Sequence, residues 1–95
     1  MSLQNKFEDL KIFDEGVRDC ITESNRNSLT QSSIQKILHY IHTGNYLQIF
    51  YSYGKEILTE LLDYFLSIEN YIQCSLIRDT VKDHNKATGE NIKLI

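Results

Sequence analysis

No stretch of this sequence approaches the roughly 18 consecutive apolar residues that a membrane-spanning helix needs. Residues 1–20 are amphipathic and mixed in charge, so they do not read as a secretory leader. A basic excess is missing too. The net charge is −3, which argues against nucleic acid as the main partner, because its binding surfaces are strongly basic. Cysteine is scarce: Cys20 and Cys74 sit far apart, which predicts two thiols of a protein in a reducing cytoplasm, with a single disulfide as the alternative. Proline and tryptophan are absent and alanine occurs once, against 12 Ile, 7 Asn and 6 Tyr. The abundant types have AT-rich codons, while alanine and proline have GC-rich ones, so the composition points to an AT-rich microbial or phage gene.

The motifs of common chemistries are equally absent. No glycine-rich loop follows a strand pattern, so no phosphate cradle is expected. His39 and His42 lie one helical turn apart, and a metal site would need further ligands, for which His84 or Asp63 are the candidates. No Glu-x-x-His pair accompanies them, and two surface histidines beside an apolar stripe are the simpler expectation. Cys20 and Cys74 fall on apolar helix faces, where thiols are inert. Ser32 and Ser33 read as a helix start, and Asp14-Glu15, Glu56 with Glu60, and Asp79 with Asp83 read as solvated helix charges. The expectation is a protein with no enzymatic activity, no cofactor and no metal.

What the sequence does have is helical periodicity. Apolar residues make up 41% of 95 residues, enough for one domain with one core. Phe7, Leu10, Phe13, Val17, Cys20 and Ile21 recur at steps of three and four, predicting a helix over residues 3–23 with Asp14 as a polar exception. Gly16 lies inside it and weakens a helix by about 1 kcal/mol relative to alanine. Residues 24–28 form a polar loop. A second helix is expected to start within residues 30–33, with Ile34, Ile37, Leu38 and Ile41 as its stripe and Thr43-Gly44-Asn45 as its stop. Tyr46–Tyr53 is rich in strand formers, but no partner strand is evident, so it is read as a helix bent or broken at Gly54. Ile57, Leu58, Leu61, Leu62, Phe65 and Ile68 predict a strong helix over residues 55–68. A last helix is expected over residues 71–84, with Cys74, Ile77 and Val81 on one face. The fold class is therefore all-α: a small bundle of four to five helices in antiparallel hairpins, forming a single domain over residues 1–95. Residues 86–95 are expected to be a tail that either frays or docks by its apolar end.

One pattern repeats. Residues 37–48 line up with residues 61–73 across one gap: an apolar helix end, a turn, then Asn45-Tyr46-Leu47-Gln48 or Asn70-Tyr71-Ile72-Gln73 opening the next helix. This describes a helical hairpin with its turn tyrosine packed back across the pair. In the second copy, the turn residues Glu69 and Tyr71, the small pair Cys74-Ser75 and the run Ile77-Arg78-Asp79 with Val81 resemble the UVR motif. That is the helical hairpin shared by the B and C subunits of bacterial excision nucleases and by some chaperone-associated and kinase-activator proteins. The resemblance covers residues 62–81. Ile72 stands where the family usually has an acid, and neither small position is alanine. It implies a non-catalytic protein–protein contact, with Tyr71, Arg78 and Asp79 as contact residues.

The tyrosines point to the same class of function. All six lie between Tyr40 and Tyr71, and Tyr46, Phe50, Tyr51 and Tyr53 crowd into eight residues, more than one helix face can bury. Either they close this domain's own core in place of tryptophan, or the surplus binds a partner. Tyr46, Tyr51 and Tyr53 are thus candidate interface residues, with a homodimer as the simplest protein partner. The alternative is a nucleic-acid-binding regulator in which Lys36, Lys55, Arg78, Lys82, Lys86 and Lys93 gather on one side of the carboxy-terminal half.

Overall fold

The three-and-four spacing becomes five α-helices in a computed structural model, which describes the backbone of residues 3–24 and 30–94 and side chains over 10–22 and 30–94. In chain order they are α1 (Leu3–Ser24), α2 (Gln31–His42), α3 (Tyr46–Tyr53), α4 (Lys55–Ser67) and α5 (Tyr71–Thr88). No strand occurs among the described residues, so the fold is all-α as expected. The polar loop falls almost wholly outside the described residues, as does the side chain of Phe7. Thr30 caps α2: its Oγ1 accepts a hydrogen bond from the Ser33 amide at 3.1 Å, satisfying one of the free donors of the first turn. Tyr46–Tyr53 is a helix and not a strand. It is separated from α4 by Gly54, whose φ of 91° and ψ of 175° lie where only glycine is comfortable.

The repeated pattern is a repeated structure. At the end of α2, the Asn45 amide donates to the Tyr40 carbonyl at 2.7 Å and the Gly44 amide to the Ile41 carbonyl at 3.1 Å. At the end of α4, Asn70 donates to Phe65 at 2.8 Å and Glu69 to Leu66 at 3.1 Å. Both are Schellman closures, with Gly44 and Glu69 in the left-handed region at φ 71° and 60°. Each asparagine then caps the next helix, Asn45 accepting from the Gln48 amide and Asn70 from the Gln73 amide. The hydrogen bonds equate Tyr40 with Phe65 and Gly44 with Glu69. The two copies therefore align without the gap that side-chain similarity suggested, and the equivalent of Tyr40 is Phe65, not Tyr64. The turn tyrosines diverge: Tyr46 is fully buried, whereas Tyr71 is 60% exposed.

Helix α4 is the hub. It packs against α1, α3 and α5 and buries Ile57, Leu58, Leu61, Leu62 and Phe65. Val17 and Ile21 of α1, four residues of α2, Tyr46 and Ile49 of α3, and Cys74, Ile77 and Val81 of α5 complete the core. Cys74 is buried and Cys20 half-buried, its thiol donating to the Glu60 carbonyl at 3.5 Å; the two are not joined in a disulfide. Leu10, expected on the buried face of α1, is 51% exposed. Phe13, one turn on, faces inward, and its ring stacks on Phe65 at 5.7 Å. The polar exception, Asp14, reaches across to α2 and meets His42 Nε2 at 2.7 Å. Both side chains are more than a third exposed, so this clasp adds little, of the order of 0–1 kcal/mol.

Gly16 acquires a reason. A Cβ placed on it would stand 1.9 Å from the Tyr64 hydroxyl and 2.9 Å from the ring carbon that carries it. The missing side chain is thus the seat of Tyr64 in the seam between α1 and α4. Helix propensity alone favours Gly16→Ala by about 1 kcal/mol. Overpacking a rigid ring costs about 1–3 kcal/mol, so the substitution is expected to destabilise the domain. In a Tyr64→Ala background the sign should reverse. A double-mutant cycle by urea denaturation measures both; a stabilising Gly16→Ala in the wild-type background would refute the seat.

The last helix is longer than expected, ending at Thr88 instead of residue 84, because nothing between them breaks a helix before the left-handed cap at Gly89. Residues 86–88 thus belong to α5, and the tail begins after them. It folds back: Asn85 Nδ2 donates to the Ile92 carbonyl at 2.8 Å, and the Ile92 amide donates to Asn85 Oδ1 at 3.0 Å. Ile92 and Leu94 are half-buried against the core, and the Thr59 hydroxyl donates to the Leu94 carbonyl at 3.4 Å.

Candidate interaction surfaces

Helix α5 organises the surface. A helix turns about 100° per residue. Cys74, Ile77, Val81 and His84 therefore share the core-facing side, leaving two flanks of different character. One flank meets α3. Leu76 and Thr80 lie there one turn apart, and Thr80, Asp83, His84 and Ala87 form a shallow hollow with Leu47 of α3. Tyr51, one turn beyond Leu47, extends this strip and is 61% exposed. Ile72, one turn before Leu76, is 75% exposed. Exposed large apolar side chains on packed helices are the kind of surface that marks contact sites.

Tyr51 is held in place from beneath. Its hydroxyl lies 3.2 Å from His84 Nδ1, and the histidine ring packs against Phe50 at 4.9 Å. His84 Nε2 faces a Glu90 carboxylate oxygen at 3.6 Å. With a proton on Nε2, toward Glu90, Nδ1 is the atom that accepts from the tyrosine. The histidine is nearly buried, so it joins the tail, α3 and α5 at one point.

The other flank faces α4 and the tail. Arg78, Lys82 and Asn85 of α5, Leu62 of α4 and Ile92, Lys93 and Leu94 of the tail enclose an open groove of about 550 Å³. Arg78, Lys82 and Lys86 form a row at steps of four. The ion pairs seen among the described residues both involve histidine, so none of these cations meets a carboxylate within 4.0 Å. A second hollow lies beyond Lys93, between Lys55, Glu56, Thr59 and Glu60. Glu60's carboxyl is raised above its ordinary range by partial burial, then by Glu56 and Asp63 beside it, and the hollow carries both signs of charge. Lys36 is on α2, which packs only on α1 and α3, so the six expected cations do not gather as one patch.

The six candidate interface residues therefore separate. Tyr46 is not a surface residue: it is core, and its hydroxyl donates to Gln73 Oε1 on α5. The reason is its place at the start of α3, directly after the α2 turn, where its ring points between α3 and α5. Tyr53 is half-buried against the core and offers little area. Tyr51 remains exposed on the α3 flank. Tyr71 and Arg78 lie on the α4 flank, and Asp79 points away from the core and belongs to neither. Leu47, Ile72 and Leu76 were not singled out from the sequence. Placing Cys74, Ile77 and Val81 on one face already puts Ile72 and Leu76 off it, and that signal was available. The histidines also separate: His42 pairs with Asp14, His39 lies beside Tyr40, and His84 sits on α5. Among the described residues no cluster of three or more potential metal ligands forms, and no helix is long and apolar enough to cross a membrane.

Comparison with protein-family models, with curated proteins and with solved structures finds no match to this chain.

Proposed function

We propose that this domain is a non-enzymatic protein-binding module whose contact face is the strip of Leu47, Tyr51, Ile72 and Leu76, with a second copy of the chain as its partner. The observation that carries the reading is the exposure of these four large side chains on α3 and α5, two helices packed on each other. Two-fold pairing would cover the same strip on both copies, so one apolar face suffices. The resemblance of residues 62–81 to the UVR hairpin supports the class of function alone, a protein contact, since the contact residues it implies, Tyr71, Arg78 and Asp79, lie off this strip. Here those residues form the end of α4, the Glu69 turn and the start of α5, two helices packed on each other.

The test combines Tyr51→Ser with Leu76→Ser and measures molar mass by light scattering together with thermal melting. The expected result is a dimeric parent, a monomeric variant and a melting temperature, taken at a dilution where both are monomers, changed by only a few degrees. A monomeric parent at millimolar concentration would reject self-association through this strip.

A further inference from the structure

We infer that the groove between α4, α5 and the docked tail binds an acidic peptide segment carrying aliphatic side chains between its carboxylates. This inference stands apart from the α3–α5 strip, because the groove lies on the opposite flank of α5. Its floor is apolar, made by Leu62 and Val81, with Ile92 and Leu94 of the tail as one wall. Its rim is cationic: Arg78 and Lys82 stand one turn apart on α5, and Lys93 faces them from the tail. No carboxylate of the described residues is within ion-pair distance of the three cations, which stand around an apolar floor.

That combination selects its occupant. A free phosphate would use the rim and leave the floor wet. A nucleic acid would need a longer basic track. Past Lys93 the lining is mixed in sign, Glu56 and Glu60 with Lys55, so the basic track does not continue. A peptide with alternating acidic and aliphatic residues satisfies floor and rim together, since successive side chains of an extended chain point to opposite sides. The tail takes part as a wall, held in an extended course by the paired hydrogen bonds between Asn85 and the Ile92 backbone.

The experiment titrates the full chain into a fluorescein-labelled peptide of alternating Glu and Leu and follows anisotropy at low salt. Controls replace Glu by Lys, replace Leu by Gly, or substitute an oligothymidylate of equal charge. Saturable binding of the Glu-Leu peptide is expected, weaker by about tenfold or more for each control and falling with salt. Lys82→Glu should abolish it, while Lys36→Glu, the same charge change on α2, should leave it within about twofold. Circular dichroism checks that both variants fold, and Arg78→Ala provides a milder second probe. Asn85→Ala frees the wall and is expected to weaken binding. No binding, tighter binding of the oligothymidylate, or equal losses from Lys36→Glu and Lys82→Glu would overturn the inference. Tighter binding by Asn85→Ala would make the tail a competitor and overturn its role as the wall. Lys82→Glu should not alter the molar mass, which separates this result from the fate of the proposed dimer.

Discussion

Replacing Leu62 by alanine is expected to destabilise the domain by about 2–5 kcal/mol, the range measured for buried leucines. Leu62 is 2% exposed on α4, the helix that touches three others, and its neighbours Leu58, Leu61 and Phe65 are fully buried. Truncation there removes packing between α4 and α5 beneath the groove that Leu62 floors. A chain of this size has a total stability of about 5–15 kcal/mol, so the variant could be largely unfolded at 37 °C. Urea denaturation of wild type and variant gives the difference directly. A loss below about 1 kcal/mol would show that α4 and α5 close the gap, and the role of α4 as hub would fall with it.

The second large effect is expected at alkaline pH. Burial, and then the Cys74 thiol beside it, hold the Tyr46 phenol well above its ordinary range of about 10. Its hydroxyl donates to Gln73 Oε1, a bond that only the protonated form can make. Below pH 10 the phenol is neutral in both folded and unfolded chains and stability does not respond to it. Above pH 10 the unfolded chain releases this proton while the folded chain keeps it. Stability should then fall by up to about 1.4 kcal/mol per pH unit from this one group. Tyr64, raised by partial burial and by its neighbours Cys20 and Asp19, acts in the same direction and adds to the slope. Tyr46→Phe should cost about 1–2 kcal/mol at neutral pH, because the Gln73 carbonyl loses its donor. The same substitution should flatten the alkaline slope. Melts of both proteins from pH 8 to 11.5 check this, and equal slopes would mean that Tyr46 ionises freely and is not sealed in the core.

Tyr46 also shows where the sequence reading ended. Eight residues of α3 carry six large apolar or aromatic side chains, and counting them established correctly that some must stay outside. It could not say which. Tyr46 went inside because α3 packs on both α4 and α5, and its hydroxyl meets Gln73 of α5. Its counterpart Tyr71, after an equivalent turn, stayed out because α5 packs on α4 through Cys74, Ile77 and Val81. Identical local geometry thus gave opposite burial, decided by what lay opposite. Likewise Leu10 satisfies the periodicity of α1 and is exposed all the same, whereas Phe13, one turn on, stacks on Phe65.

By itself the sequence determined the helices, the turns at Gly44 and Gly54, the repeated asparagine caps and the apolar stripe of α4. All of these depend on residues within about four positions of one another, the span over which backbone hydrogen bonds and side-chain spacing act. Only the tertiary structure decided that Gly16 seats Tyr64, that Asn85 binds the tail to α5, and that the tyrosines divide between core and surface. It also separated the expected cations, setting Arg78, Lys82 and Lys93 around one groove and Lys36 elsewhere. Those outcomes join residues distant in sequence, and which of them meet is fixed by how α1, α3 and α5 pack around α4, not by the periodicity of any single helix.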